Sequence, residues 1–390
     1  MKRPDQIQKT ILLKTNSFHK VMLQVRSAIG LTYSNFFFIM SENINSNKII
    51  LLAKRPAQTS FSSLFTVKHA LNTQKVGHTG TLDSFACGLL VVCTGALTRL
   101  CGRITEFNKT YEAVITFGKE TDTLECTGQT VKTASLPTLQ SLKKSLLHFT
   151  GTYMQKPPVF SAIHINGKRA SDMVRSGRSA EIPARAVTVF GSELLETKLV
   201  YSDGAEKVSA ARIRFTVSKG TYIRSLARDI ADYCGSAAFL TGLLRTKVGN
   251  FDLRDAAGFN LLDDFTIESA CKNAEFTIRK ENEVLEAKKK EKKSLFVVSK
   301  EELILRNEVV EKSLSMTKDI AVQCGFSVLE IKPDKLSMFR NGAKLRSDWF
   351  DVSPFSLKDD FAAVFAEGEE FCGLLEKDSS GYFKYSFVIN

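Results

Sequence analysis

The sequence predicts an α+β fold with two domains, the second of them small and rich in β-strands. Segments with strand-like alternation and segments with helical spacing are mixed along the chain, without the regular repeat of a doubly wound sheet. The length of 390 residues suggests two or three domains, and 43% hydrophobic with 25% charged residues is typical of globular proteins. No apolar run approaches the ~18 residues that span a bilayer, so we expect a soluble protein without a membrane segment.

Hydrophobic periodicity places the elements of the first domain. In chain order they are a strand at 49–52, a helix from 61 to about 71, strands at 88–94 and 110–117, a helix at 136–148, a strand at 211–217 and a helix from 223. Thr59 and Ser60 can cap the first helix, and Gly235 suits the C-terminal cap of the last. The alternation in 110–117 predicts a half-exposed strand with Tyr111 on its apolar face.

A charge-dense stretch marks the predicted domain boundary. Residues 279–293 (RKENEVLEAKKKEKK) contain few apolar side chains, as in a solvated helix or a linker. Beyond them, short apolar runs are separated by Asn-Gly, Glu-Gly and Ser-Gly turn signals, which predicts a β-rich module. We therefore expect a first domain at 46–278, a charged linker or helix at 279–294 and the module at 295–390.

The net charge points to a polyanionic partner. The chain carries +12, with 54 basic and 42 acidic residues. Residues 296–390 hold 12 basic and 16 acidic residues, a charge of −4, so the first 295 residues carry +16. Such a basic body is consistent with nucleic-acid binding, and the electrostatic attraction should come from the first domain. The alternative at this point is charge that serves only solubility.

The cysteines indicate a reducing compartment. None of the eight forms a Cys-x-x-Cys pair, and the five histidines do not cluster with them, so we expect no zinc site. Free thiols without a secretory signal favour the cytoplasm over an oxidising location. Residues 1–45 are an extension of uncertain status: a transit-like leader, or a start codon assigned too far upstream, with Met40 inside it.

One loop holds the most unusual composition in the chain. Residues 75–90, KVGHTGTLDSFACGLL, place three glycines, a histidine and Asp83 between a predicted helix and an apolar strand. Asp83 lies where a side chain can be held rigidly and still face a cleft. Its commonest role in such a loop would be capping a turn. Phosphate-loop motifs are absent, because neither Gly-x-x-x-x-Gly-Lys-Ser/Thr nor Gly-x-Gly-x-x-Gly occurs here.

These residues resemble the signature loop of the TruB family of tRNA pseudouridine synthases. Four further blocks follow the family order over roughly residues 48–255. They are Lys54-x-Pro56-x-x-Thr59-Ser60, Lys109-x-Tyr111 with Gly118-x-x-Thr121-Asp122-Thr123, Pro157-Pro158-x-x-Ser161-Ala162 with Gly167-Lys168, and Ser218-Lys219-Gly220-Thr221-Tyr222-Ile223-Arg224. The resemblance implies a pseudouridine synthase catalytic domain, with a mixed, largely antiparallel sheet flanked by helices. The last residues resemble, more weakly, a PUA-type RNA-binding module.

The resemblance also implies roles for individual residues. Asp83 matches the catalytic aspartate, as a nucleophile or as the group that forms a glycal-type intermediate. Arg224 matches its arginine partner, Tyr111 the tyrosine that stacks on the target base, and Tyr222 a second active-site tyrosine. Leu243 matches an apolar pocket residue. The candidate RNA contacts are His78, which would enter the T-loop, and the block lysines Lys54, Lys109 and Lys219.

The family chemistry needs no redox change or energy input, so no cofactor and no metal are implied. The implied activity is isomerisation of the T-loop uridine of tRNA, at position 55 by tRNA convention, by base flipping. The partner is the T-arm of tRNA, and no obligatory protein partner is evident. Two alternatives stay open: a non-catalytic tRNA-binding or folding protein, and a pseudouridine synthase that acts on another RNA.

Three positions depart from the family pattern. Ser84 stands where a proline usually follows the catalytic aspartate, Cys87 where a threonine is usual, and Ala57 where the opening motif usually has glycine. Losing the proline removes a constraint on the backbone φ angle but no reacting group. We therefore expect the activity to survive these changes.

Overall fold

The computed structural model describes residues 47–161, 164–165, 168–169, 182–202, 204–289 and 298–389. The predicted extension at 1–45 lies outside these residues. From residue 46 onward the chain forms one compact unit. Among the residues that the structure describes, no helix combines the length and the apolar character needed to cross a bilayer.

A nine-stranded sheet forms the centre of the first domain. Its strands are β1 (Ile49–Lys54), β2 (Val76–His78), β3 (Cys87–Thr94), β4 (Lys109–Phe117), β7 (Gly151–Gln155), β10 (Arg185–Ser202), β11 (Ala205–Val217), β12 (Ala238–Val248) and β13 (Phe251–Asp252). The order is β1-β3-β12-β4-β11-β10-β7, with β2 on β3 and β13 on β12. Every pairing is antiparallel except that of β12 with β3. The predicted mixed, largely antiparallel sheet of an α+β fold is confirmed.

Small two-stranded sheets and helices complete this domain. The short strands are β5 (Lys119–Thr121) with β6 (Thr130–Thr133), and β8 (His164–Ile165) with β9 (Lys168–Arg169). The helices are α1 (Ser60–Ala70), α2 (Cys101–Thr105), α3 (Leu139–His148), α4 (Ile223–Tyr233) and α5 (Ile267–Lys289). Thr59 caps α1 as predicted, its side chain accepting from the Ser62 amide, and Gly235 after α4 has φ +66°.

Helices cover both faces of the central sheet. On one face, Ala113 and Ile115 of β4 pack in a core with Leu142 of α3 and Leu226 of α4. On the other, Val114 packs against α5. The prediction of a half-exposed β4 is therefore wrong, because an alternating strand shows only which side chains share a face and not what later covers the second face.

A close backbone approach dictates one glycine of the signature loop. Gly88 lies opposite Arg245 where β3 runs parallel to β12. Its φ is +105°, and a Cβ there would lie 2.4 Å from the Arg245 carbonyl oxygen. Any larger residue would push apart the two strands that carry the loop and the pocket residue Leu243.

The last residues form a four-stranded sheet with short helices. The elements are α6 (Lys300–Glu311), α7 (Lys318–Gln323), β14 (Ser327–Glu330), α8 (Leu336–Arg340), β15 (Phe361–Phe365), β16 (Phe371–Lys377) and β17 (Phe383–Val388). The sheet order is β14-β15-β16-β17. The predicted turns at Gly342, Gly368 and Gly381 all have positive φ and separate elements as expected. This is the predicted β-rich, PUA-like module.

The two parts share one hydrophobic core. Ile49 and Val91 from the edge of the central sheet lie in the same buried cluster as Phe326, Phe365 and Phe387 of the module. The predicted boundary between residues 278 and 279 also falls within the continuous helix α5, and residues 290–297 lie outside the described ones. Removing the module would therefore expose apolar side chains of the catalytic sheet.

Ala57, which stands where the opening motif usually has glycine, has a strained backbone conformation. It lies between β1 and α1 with φ +60°, a left-handed conformation that a β-carbon disfavours by about 1–2 kcal/mol. The substitution Ala57→Gly should raise the free energy of unfolding by about 1 kcal/mol, since part of the relieved strain is offset by the greater freedom of glycine in the unfolded chain. Urea denaturation measures this. The control Ala274→Gly, inside α5, should lower stability, and a loss at both positions would contradict the explanation.

Candidate active site

A cleft of about 760 Å³ opens beside the signature loop. It is lined by residues from β4, β12, the loop before β3 and the start of α4. Six of the nine predicted site residues lie on its walls: Asp83, Lys109, Tyr111, Tyr222, Arg224 and Leu243. The structure thus brings together predicted residues that lie up to 160 positions apart in the chain, from Asp83 to Leu243.

Asp83 and Arg224 form an ion pair in this cleft. Nη2 of Arg224 donates a hydrogen bond to Oδ1 of Asp83 at 3.1 Å, and Nε lies 3.0 Å from Oδ2. The arginine side chain is only 5% exposed, against 33% for the aspartate. The guanidinium also donates to the carbonyl oxygens of Thr123 (2.9 Å) and Phe160 (3.0 Å). Arg224 is therefore fixed, and it orients an accessible carboxylate.

The loop that carries Asp83 is held from behind by Lys54. The Lys54 ammonium donates to the carbonyl oxygens of Ala86 (2.5 Å), Arg55 (3.1 Å) and Ser84 (3.3 Å). Its side chain is 1% exposed, and burial lowers its pKa to about 8. The prediction that Lys54 contacts RNA is wrong, because a buried ammonium saturated by backbone carbonyls cannot reach a phosphate. Its role is to position the loop.

The other three candidate RNA contacts are placed differently from one another. Lys109 lies in the cleft wall but is 7% exposed, and its ammonium donates to the carbonyl oxygens of Thr105 (2.5 Å) and Phe107 (2.6 Å). Burial lowers the pKa of Lys109 to about 8. Lys219 is exposed and pairs with Glu106. Half-buried His78 ends β2, and burial and nearby Arg245 lower its pKa. Lys219 thus offers the most accessible charge of the three.

Two tyrosines and one leucine shape the rest of the cleft. Tyr111 comes from β4 and Leu243 from β12, which are neighbours in the sheet. Tyr222 is the residue before α4, and Gln155 holds both its backbone groups, at 2.8 Å to the amide and 3.1 Å to the carbonyl. The Arg185 guanidinium lies 5.1 Å from the Tyr222 ring centre. The backbone of Tyr222 is therefore fixed by Gln155, and its ring lies close to a guanidinium cation.

Glu125 is a site residue that the sequence reasoning missed. Its Oε2 lies 3.9 Å from Nε of Arg224, and Thr127 donates to its Oε1 at 3.0 Å. Burial, reinforced by the negative charge of Asp83, raises the pKa of Glu125 to about 7. The preceding Leu124 has φ +59°, a strained conformation for a non-glycine residue. The strained turn places Glu125 beside the Asp83–Arg224 pair, and no local sequence motif predicts this position.

Ser161 and Arg245 were also missed as lining residues. The Ser161 hydroxyl is buried on the cleft wall and has no hydrogen-bond partner among the described residues. Arg245 is 1% exposed, donating through Nε to the Leu89 carbonyl (2.7 Å) and through Nη2 to that of Gly80 (3.1 Å). Arg245 braces the signature loop, whereas Ser161 leaves a polar group available to whatever enters the cleft.

Comparison with known proteins identifies the family of this chain. The TruB family pseudouridylate synthase model (N terminal domain) matches residues 68–223. The tRNA pseudouridine synthase B of Treponema denticola is 43% identical over 318 residues, which cover 79% of this chain and 86% of that protein. This chain belongs to the TruB family. The synthase of Treponema pallidum (strain Nichols) is 35% identical over 353 residues, 86% of this chain and 95% of that one.

A solved structure supports the fold of this TruB protein over nearly its whole length. The structure described as a Cbf5-Nop10-Gar1 complex matches with a TM-score of 0.55 and 20% identity, and covers 88% of this chain and 85% of that one. At that identity the likeness concerns the fold alone. It extends through both the catalytic domain and the module that follows it.

Two departures from the TruB pattern lie in or next to the signature loop. The Ser84 hydroxyl donates to Oε1 of Glu281 at 2.7 Å, a bond that ties the signature loop to α5 and that proline could not make. Cys87 begins β3 in a buried position, and burial raises its thiol pKa to about 12. The thiol therefore stays neutral and serves packing. Neither change removes a group from the cleft.

The raised pKa of Glu125 leads to a prediction of how the stability of the protein depends on pH. Its pKa rises from 4.5 to about 7 on folding, so the folded state disfavours the charged form. The destabilisation is absent below about pH 4.5, grows as the pH rises and is complete above about pH 7. The stability of Glu125→Gln relative to the parent should therefore increase between pH 5 and pH 8, by up to roughly 3 kcal/mol. Urea denaturation at both pH values tests this, with Glu275→Gln on the exposed side of α5 as control. An identical difference at both pH values would refute the proposed cause.

Proposed function

We propose that this protein isomerises uridine to pseudouridine in the T-loop of tRNA, at position 55, with the uridine flipped into the cleft around Asp83. The observation that carries the proposal is the Asp83–Arg224 pair, in which a buried guanidinium holds an accessible carboxylate at 3.0–3.1 Å. Membership of the TruB family supports the reaction type, and the match to two tRNA pseudouridine synthases supports the substrate.

The reaction rearranges one bond without a net gain or loss of atoms. The bond between the ribose C1′ and N1 of uracil breaks, the base turns, and C5 joins C1′. C5 then loses its proton and N1 gains one. Asp83 faces the reacting sugar as nucleophile or as the group that forms a glycal-type intermediate, and Arg224 keeps its carboxylate aimed. Tyr222, beside them, is placed to help remove the C5 proton.

The cleft walls suit a flipped pyrimidine. Tyr111 offers an aromatic face, and Leu243 an apolar one, on adjacent strands. A base that leaves its stack needs such a platform to offset the lost stacking. Residues 46–278 hold 29 basic and 20 acidic residues, and this net charge of +9 supports the attraction of the polyanion to the domain.

The T-arm, the cytoplasm and the independence from a protein partner belong to the same proposal. The Asp83, Arg224, Tyr111, Tyr222 and Leu243 side chains that the mechanism uses all line one cleft of this chain. Free thiols at all eight cysteines are consistent with a reducing cytoplasm.

Asp83→Asn should abolish turnover and leave tRNA affinity within about twofold of the parent. The amide keeps the shape of the side chain but can act neither as nucleophile nor as base. Carbodiimide mapping of pseudouridine in tRNA measures turnover, and filter binding measures affinity. Asp264→Asn, at an exposed position, should behave as the parent. Turnover by the Asp83 variant above about one-hundredth of the parent rate would count decisively against the assignment.

Tyr111 should act through its aromatic face. Tyr111→Phe keeps the ring and loses only the hydroxyl, whereas Tyr111→Ala loses the platform. Stacking is worth about 1–3 kcal/mol per base, so the alanine variant should be at least about tenfold worse in kcat/KM than the phenylalanine variant. Equal activities would show that Tyr111 has no contact with the base.

A further inference from the structure

Helix α1 presents its aromatic side chains to solvent. Phe61 is 65% exposed and Phe65 48% exposed, although both belong to a helix packed against the body of the protein. Their rings meet edge to face, with centres 6.1 Å apart. The Lys68 ammonium lies 6.0 Å from the first ring centre and 5.6 Å from the second. We call these three residues, on one side of the helix, the α1 stripe.

The inner side of α1 is satisfied without these rings. Ser60, Ser63 and Thr66 are buried there beside Leu64 and Val67. Each hydroxyl has a partner: the Leu82 carbonyl at 3.0 Å, the Thr59 carbonyl at 3.1 Å and the Glu302 carboxylate at 3.1 Å. The buried side of α1 thus combines Leu64 and Val67 with satisfied hydroxyl groups, while the two largest apolar side chains of the helix, Phe61 and Phe65, face solvent. Exposed aromatic side chains so arranged mark a binding surface.

The electrostatic setting of the stripe favours an anion. Residues 47–82 contain five basic residues and no acidic one. Two acidic residues of α6 that contact this segment are already engaged, Glu301 with Arg55 at 2.5 Å and Glu302 with Thr66 and Arg306. A partner with negative charge and flat apolar groups complements such a surface.

The stripe is also close to the catalytic loop. Ser60, the first residue of α1, exchanges two hydrogen bonds with Leu82, at 2.8 and 3.0 Å, and Leu82 directly precedes Asp83. Phe61 is the next residue of the helix. The end of α1 that carries Phe61 is therefore bonded to the loop that lines the cleft.

We propose that the α1 stripe is a second RNA contact, on which unpaired nucleobases of the substrate stack outside the cleft; this rests on the proposed function. Phe61 and Phe65 supply the aromatic faces, and Lys68 attracts the backbone phosphates. Aromatic residues next to a cation are the usual means by which proteins hold single-stranded nucleic acid without reading its sequence. The stripe thus adds affinity and placement and takes no part in the chemistry.

The test compares two exposed aromatic pairs in the full-length protein. The double variant Phe61→Ala/Phe65→Ala should weaken binding of unmodified tRNA at least about fivefold and raise KM, with kcat at saturating tRNA unchanged. The control is Phe190→Ala/Tyr201→Ala, which removes two exposed aromatic side chains, 53% and 78% exposed, from β10. It should leave affinity within twofold. Phe61→Trp/Phe65→Trp keeps the aromatic faces and should restore binding.

Other results would overturn the proposal. Equal tRNA affinities of the α1 variant and the control would show that RNA does not bind the α1 stripe. A change of sedimentation coefficient in the α1 variant, with tRNA affinity intact, would identify a surface between two copies of the chain instead. Absence of pseudouridine formation by the parent protein would refute the proposed function separately, because binding of tRNA is measured without turnover. Thermal unfolding of the variants at the parent temperature verifies that the exposed substitutions leave the fold intact.

Discussion

The pairing of Asp83 with Arg224 is the interaction on which the rest of the site depends. A guanidinium that is 5% exposed must be matched by acceptors, since an unpaired buried charge is strongly destabilising. Three elements supply those acceptors: the signature loop through Asp83, the strained turn through the Thr123 carbonyl, and the segment after β7 through the Phe160 carbonyl. Arg224 therefore joins three separate parts of the chain around one carboxylate.

Buried cations behind the loop support this pair in a different way. Lys54 and Arg245 are each 1% exposed, and both donate to backbone carbonyls of the loop and of β3. Their hydrogen bonds fix the backbone on either side of Asp83, so the carboxylate needs little rearrangement when substrate enters. Resemblance assigned Lys54 to RNA binding, but burial separates it from solvent. A lysine of a basic protein can thus position a loop and make no contribution to the attraction of RNA.

The module and the catalytic domain are joined more closely than the charge distribution suggests. A charge of −4 after residue 295 against +16 before it indicates two electrostatically distinct parts. The shared core and the ion pair of Arg103 with Glu376, at 2.6 Å, make them one structural unit. The question of which part attracts tRNA therefore has to be addressed with surface substitutions in the whole chain, since cutting the chain would also remove part of the core.

Local patterns by themselves predicted many of the elements, the α+β class and the β-rich module, and ordered motifs identified Asp83 and Arg224 as candidate site residues. Helix α1, strand β3 and the turns at Gly235 and Gly381 follow from caps, apolar runs and glycines whose effect is confined to a few residues. Only the tertiary structure decided that β4 is covered on both faces, that Lys54 is buried and that Glu125 joins the ion pair. Each of these depends on contacts between residues far apart in the chain, and burial and electrostatic coupling are set by those distant neighbours rather than by the residue itself.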